Sequence, residues 1–250
     1  MNTKKMNNLL TYLLTTLFLS SLLFEFSAHA GNGNEGACGG TSLNFKSLEA
    51  IEQGKTPEQY VEELRARANE KIASLNCSGG PCSYFAEYAM RENLGDERAI
   101  TLLPENPAEG RDLFEITASL HSDGYTLELA GIRVDQSITE SVEDYYNTER
   151  NRILSLAPNY DIFFKDNFIN VGKAMNEMQT GEVMFFTSLY LQENSGHAVN
   201  ILRAQGNFLF FDEQGLILKI NESGSEALFR FSQIKKINLL DLMNYIRIVE

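Results

Sequence analysis

Four short apolar runs in the last third of the chain constrain its fold more than any other feature. They begin after Gly181 and are separated by turns that contain Asn, Ser, Gly and the sequence Glu-Gln-Gly. The runs cover residues 183–186, 198–202, 208–211 and 216–220. Short apolar runs with short polar connections are typical of adjacent β-strands, so the sequence predicts an antiparallel meander.

Helical signals dominate the chain before these runs. Thr56 is a suitable N-cap, Pro57 occupies the first helical position, and Gln59 completes a capping box. Apolar residues then recur at three- and four-residue steps to about Leu75, which predicts one buried stripe. Further helices are predicted at 113–120, 139–156 and 167–178, and a strand near 125–134. Helices first and strands later favour an α+β fold over alternating βαβ units.

The first 30 residues differ in kind from those that follow. A lysine pair at 4–5 precedes an apolar run at 9–23, and an Ala-His-Ala sequence ends at Ala30. This pattern predicts a secretory signal peptide cleaved after Ala30, with a periplasmic or secreted mature protein. A single membrane anchor is the alternative, but threonines and serines dilute the run and Glu25 closes it.

The remaining chain is predicted to form one domain behind a short leader. Residues 31–55 are expected to be a flexible leader, since the stretch 31–40 is mostly Gly, Asn and Ala. Residues 56–250 are expected to fold as a globular domain with no further span that could insert stably into a membrane.

The charge of the mature chain argues against nucleic acid as a partner. Removing Lys4, Lys5 and Glu25 from 21 basic and 34 acidic residues leaves 19 and 33, a formal charge of −14. Binding to phosphates relies on clustered Lys and Arg. The simplest interpretation of this acidity is solubility outside the cytoplasm.

The three cysteines, Cys38, Cys77 and Cys82, form an odd set. In an exported chain, an odd count leaves at least one thiol unpaired or paired between molecules. A disulfide between Cys38 and Cys77 would leave Cys82 free, whereas one between Cys77 and Cys82 would silence Cys82 until it is reduced. Both connectivities remain open.

Cys82 is the candidate nucleophile. It follows two glycines and Pro81 and opens a helical pattern that runs towards Leu94. The positive end of a helix dipole stabilises a thiolate, and the backbone N–H of Cys82 would point at the oxyanion of a tetrahedral intermediate. A buried structural cysteine is the alternative interpretation.

His197 is the candidate base. The mature chain has two histidines, and His121 lies in a polar stretch that suits a helix end. His197 follows Ser-Gly and begins the run 198–202, so a rigid strand would hold its ring beside a turn.

Asp212 is the candidate partner that orients the His197 imidazole. It ends the run 208–211, and a hairpin turn at 204–207 would bring the start of one strand opposite the end of the next. Taken alone, Asp212 also fits an ordinary acidic turn.

Asn76, six residues before Cys82, is a candidate side-chain donor to the oxyanion, although asparagine is equally suited to cap a helix C-terminus.

Three segments of this chain resemble those of papain-like cysteine proteases, and most closely the YopT-like peptidases known as bacterial effectors. Residues 80–88 resemble the family's Gly-x-Cys followed by an amphipathic helix, and residues 195–199 resemble its Gly-His-Ala strand. Residues 210–215 resemble its Phe-Asp-Pro-Asn-x-Gly segment, with Glu213 at the proline position. The order of the segments also agrees, and the resemblance covers about 76–220.

The resemblance implies a papain-like fold, in which a helix that begins at the catalytic cysteine packs on an antiparallel sheet. It implies a cysteine protease that acts on a protein or peptide through an acyl-enzyme, as a bacterial effector or virulence factor. No cofactor or metal is expected. The same machinery in related groups serves deamidation or transglutamination of protein glutamine, and a secreted interaction protein that keeps the fold without turnover is a further alternative.

Overall fold

The computed structural model describes residues 43–72, 81–105, 111, 113–129, 132–134, 144, 171–190, 195–236 and 242–249. They belong to one compact unit, Thr41–Glu250. The predicted signal peptide and nearly all of the predicted helix 139–156 lie outside the described residues. Within these ranges, no helix combines the length and the apolar composition that crossing a bilayer requires.

An antiparallel sheet of seven strands organises the described residues. The strands are β1 Thr126–Leu129, β2 Ile132–Val134, β3 Val183–Tyr190, β4 Ser195–Ala204, β5 Asn207–Asp212, β6 Gly215–Ile220 and β7 Leu242–Val249. Their order is β2-β1-β7-β3-β4-β5-β6. The meander from β3 to β6 confirms the prediction from the four apolar runs. The single strand predicted near 125–134 is wrong, because two short strands pair there as a hairpin.

A tight turn sets the register between β4 and β5. Gln205 and Gly206 have φ of 50° and 75°, the positive values of a two-residue type I′ turn. Ala204 therefore pairs with Asn207, and Asn200 pairs with Phe211. The hairpin predicted at this point is confirmed, and it brings the first residues of β4 towards the last residue of β5.

Helices cover both faces of the sheet. They are α1 Lys46–Glu52, α2 Pro57–Lys71, α3 Pro81–Asn93, α4 Leu113–Ser122, α5 at 171–177 and α6 Gly224–Lys235, with a 3₁₀ turn at Ala99–Leu102. Phe185 and Phe211 share a core with α2, α3 and α4. Their neighbours Phe186 and Phe210 share a second core with α5 and α6. The predicted α+β class is confirmed, whereas α6 and β7 were not predicted.

The predicted flexible leader, residues 31–55, is wrong in its last part. Helix α1 lies within it, with Phe45, Ser47 and Ala50 buried. The Ser47 hydroxyl donates to the carbonyl of Gly181 at 2.6 Å, and its backbone N–H donates to Asn93 at 3.1 Å. The glycine-rich composition of 31–40 does not extend to these residues, which carry apolar side chains able to pack.

The helix starts agree closely with the sequence. The Thr56 hydroxyl accepts from the Gln59 N–H at 3.2 Å, and the Gln59 side chain accepts from the Thr56 N–H at 2.8 Å. This is the predicted capping box. Helix α2 ends at Lys71 rather than at about Leu75, because Ile72 is already extended, with φ −103° and ψ 104°. Helix α3 begins at Pro81, so Cys82 lies in its first turn as predicted.

A buried cluster of charges fixes α3 in the fold. Arg91 is fully buried and pairs with Glu87 at 2.8 Å, Asp96 at 2.9 Å and Asp123 at 2.8 Å. Ser119 on α4 accepts a further hydrogen bond from Arg91 at 3.1 Å. A buried guanidinium with three carboxylate partners ties α3 to the segments that follow it.

Replacing Arg91 with alanine is expected to reduce the free energy of unfolding by about 3 kcal/mol, because the three carboxylates lose the buried cation that they share. Arg111 still pairs with Glu87, and Arg98 still pairs with Asp96 and Asp123. Urea unfolding followed by circular dichroism measures this change. Arg67→Ala is the matched control, since Arg67 pairs with Glu92 at the surface and should cost less than about 1 kcal/mol. Equal losses in the two variants would contradict this account of the buried cluster.

Candidate active site

Cys82 lies at the N-terminus of α3, half-buried and as a free thiol. The N–H groups of a first helical turn have no partner within the helix, and the helix dipole is positive there. Cys38 and Cys77 lie outside the described residues. The form described is therefore one in which Cys82 is available, and not one in which a disulfide blocks it.

A buried asparagine joins the helix of Cys82 to the strand of His197. The side-chain amide of Asn200 donates to the carbonyl of Ala86 at 3.0 Å, and both residues are buried. Ala86 lies four residues after Cys82, and Asn200 lies three residues after His197. This hydrogen bond therefore helps to set the separation of the two reactive side chains. A polar residue inside an apolar strand was the available signal for Asn200, and the sequence interpretation missed it.

His197 and Asp212 form a direct pair. The His197 Nε2 lies 3.0 Å from Oδ2 of Asp212, whose side chain is 1 % exposed against 23 % for His197. The backbone N–H of Gln214 donates to Oδ1 of Asp212 at 2.9 Å, and Lys235 approaches Oδ2 at 3.4 Å. The carboxylate is thus held from several sides, and it fixes the orientation of the imidazole.

The electrostatics of the site favour a charged imidazole. Burial alone would lower the pKa of His197, but its hydrogen bond with Asp212, together with the hydrogen bond and charge of Cys82, raises that pKa to about 10. Burial would likewise raise the pKa of Asp212, yet the hydrogen bond from His197 and the Lys235 charge hold it below its usual value. Because Nε2 faces Asp212, Nδ1 is the ring nitrogen left for Cys82.

Three of the four predicted site residues come together in the structure. Cys82 and Asp212 both interact with His197, although Cys82 and His197 are 115 positions apart in the chain. His121 lies in the last turn of α4, the helix end expected for it. Asn76 lies outside the described residues, so its role in the oxyanion hole stays a prediction.

Comparisons with known proteins yield no relative of this chain. No family model, curated protein or solved structure matches it.

Glu213 is a residue of the site to which the sequence assigned no role. It is 5 % exposed, and its Oε2 has no hydrogen-bond partner among the described residues. Burial, followed by the neighbouring charge of Asp212, raises the pKa of its carboxyl. Arg65 donates to the backbone carbonyl of Glu213 at 3.0 Å, which fixes the chain at this point. A carboxyl group is costly to bury without a partner.

Proposed function

We propose that this chain is an exported cysteine hydrolase of papain-like fold that cleaves a protein or peptide. The observation that carries the proposal is the position of His197, which interacts with the Cys82 thiol and with the Asp212 carboxylate at once. A nucleophile, a base in contact with it and a third group that orients the base are the components of covalent acyl transfer.

The first chemical step forms the acyl-enzyme. The Cys82 thiolate attacks the carbonyl carbon of the scissile bond, and a new C–S bond forms while the carbonyl oxygen becomes an oxyanion. The Cys82 backbone N–H, near the positive end of the α3 dipole, stabilises that oxygen. The His197 imidazolium then gives its proton to the leaving nitrogen as the C–N bond breaks.

The second step releases the product. Neutral His197 takes a proton from a water molecule, which attacks the thioester carbonyl. Collapse of this second tetrahedral intermediate breaks the C–S bond, leaves a free carboxylic acid and restores the thiolate–imidazolium pair. Asp212 keeps the ring oriented throughout, because its hydrogen bond to Nε2 is made whether the ring is neutral or charged.

The architecture supports the same proposal. A helix that begins beside the nucleophile packs against an antiparallel sheet, and adjacent strands of that sheet supply His197 and Asp212. Export and an acidic mature chain are consistent with action on proteins outside the cytoplasm, as the N-terminal sequence predicts.

Mass spectrometry of substrate proteins incubated with the unsubstituted protein and with Cys82→Ala tests the proposed reaction. A disordered protein mixture is suitable, because the scissile bond is then accessible. New peptide termini are expected with the unsubstituted protein, and none above background with Cys82→Ala, since no other thiolate is held beside His197 in the described residues.

The same spectra separate the alternative reactions. A deamidase would add about one dalton at glutamine without new termini, and a transglutaminase would join an added amine to glutamine with loss of ammonia. Either result would replace peptide cleavage with acyl transfer at a side-chain amide. New termini that persist in Cys82→Ala would exclude Cys82 as the nucleophile.

A further inference from the structure

The proposed mechanism uses the triad of Cys82, His197 and Asp212 but does not use Glu213, whose buried carboxylate lies beside it. One ligand atom each from His197, Asp212 and Glu213 lie within 4.8 Å of one another. Glu213 is almost wholly buried, and its Oε2 has no partner in the part of the chain that the structure describes. A buried carboxylate that has an unpartnered oxygen and lies close to two further donor atoms is an arrangement that a cation would complete.

We propose that His197, Asp212 and Glu213 form a binding site for a divalent transition-metal ion such as Zn²⁺, which switches the enzyme off. The inhibitory part of this inference rests on the proposed function, whereas metal binding itself does not. The sequence did not predict a metal at this site.

The donor set decides which ion fits. One imidazole nitrogen and two carboxylate oxygens suit Zn²⁺, whereas Mg²⁺ and Ca²⁺ prefer oxygen donors alone. Zinc binds such ligands at about 2.0–2.2 Å in a tetrahedron, so donor atoms lie about 3.4 Å apart. His197 Nε2 and Asp212 Oδ2 are already 3.0 Å apart. The three donor atoms already lie within 4.8 Å of one another, so movement of the Glu213 side chain towards this pair would complete three ligands. Water would take the fourth position.

Zinc binding is expected to inhibit the proposed reaction because it changes the protonation of His197. Zn²⁺ binds neutral imidazole, so the proton on His197 Nε2 passes to solvent as the N–Zn bond forms. The ion then satisfies both carboxylates, and Lys235, which is 30 % exposed, can turn from Asp212 into water. With zinc bound, His197 carries no proton at Nε2, and the metal holds the ring in place of Asp212. The ring keeps its Nδ1 proton beside Cys82, but giving that proton to the leaving nitrogen would now form a zinc-bound imidazolate instead of a neutral imidazole. His197 thereby becomes a much weaker acid for the first chemical step.

Competition with a chromophoric zinc chelator measures this binding on the full chain. Cys38 and Cys77 are replaced by serine in every sample, so that their thiols do not bind zinc. We expect one Zn²⁺ per chain, with affinity at least about 10-fold weaker in Glu213→Gln. Lys235→Met should bind about three- to tenfold more tightly, because it removes a competing cation.

Glu213→Gln and Lys235→Met test the same site independently, so one variant still gives a result if circular dichroism shows that the other folds poorly. Equal zinc affinity in the unsubstituted protein, Glu213→Gln and Lys235→Met would overturn the site, and so would the absence of stoichiometric binding. In the cleavage assay, Zn²⁺ should abolish product formation and EDTA should restore it. Zinc binding without any thiol-dependent reaction would remove the proposed function and leave the metal site standing.

Discussion

Replacing His197 with alanine should slow the alkylation of Cys82 by iodoacetamide at pH 6 by about 10- to 100-fold. An ordinary cysteine thiol, with a pKa near 8.5, is less than about 1 % thiolate at this pH. His197 interacts with Cys82 through a hydrogen bond and through charge, and the proposed mechanism requires its imidazolium to favour the thiolate form of Cys82. The gain is smaller than the change in thiolate fraction, because a more acidic thiol is a weaker nucleophile.

The control for this experiment is the other histidine of the described residues. His121 lies at the end of α4, so His121→Ala should leave the alkylation rate of Cys82 unchanged. The rate is measured by mass spectrometry of the peptide that contains Cys82, with a chelator present. If His197→Ala reacted as fast as the unsubstituted protein, the pairing of Cys82 with His197 would have no chemical consequence.

Replacing Asp212 with asparagine should lower the pKa of His197 from about 10 by about 1–3 units. The substitution removes a negative charge at 3.0 Å from Nε2 and keeps the size of the side chain. With the carboxylate absent, burial of the ring favours its neutral form. The imidazolium that protonates the leaving group would then be lost at a lower pH, so the reaction should decline earlier as the pH rises.

NMR titration of histidine-labelled protein follows this change directly. Glu213→Gln is the matched control, because it also removes a nearby carboxylate, but the Glu213 charge contributes less to the pKa of His197 than the Asp212 hydrogen bond does. The shift in Glu213→Gln should therefore be downward and smaller. A His197 that titrated at the same pH in Asp212→Asn as in the unsubstituted protein would contradict the role given to Asp212.

The parts of the fold that the sequence predicts are those that nearby residues determine. The capping box at Thr56 and Gln59 and the two-residue turn at Gln205 and Gly206 are made by neighbours in the chain. Strand β7 is different. It pairs with β1 on one side and β3 on the other, across more than 50 residues in each case. Its position depends on tertiary packing, which no local pattern encodes.

The candidate active site also has one part that nearby residues determine and another that tertiary packing determines. A single hairpin brings His197 and Asp212 together, so their spacing was readable from the sequence. The approach of Cys82 to His197 depends on the packing of α3 against β4, to which the hydrogen bond between Asn200 and Ala86 contributes. The position of Glu213 in the site could not be predicted from the sequence either. Its burial and the lack of a hydrogen-bond partner at its Oε2 among the described residues depend on tertiary packing and not on its neighbours in the chain.

The proposed function requires that His197 hold Cys82 as a reactive thiolate. The rate at which iodoacetamide alkylates Cys82 at pH 6, in the reduced and unsubstituted protein with a chelator present, tests it most directly. The expected rate is at least about 10-fold above that of glutathione under the same conditions. A rate equal to or below that of glutathione would contradict it.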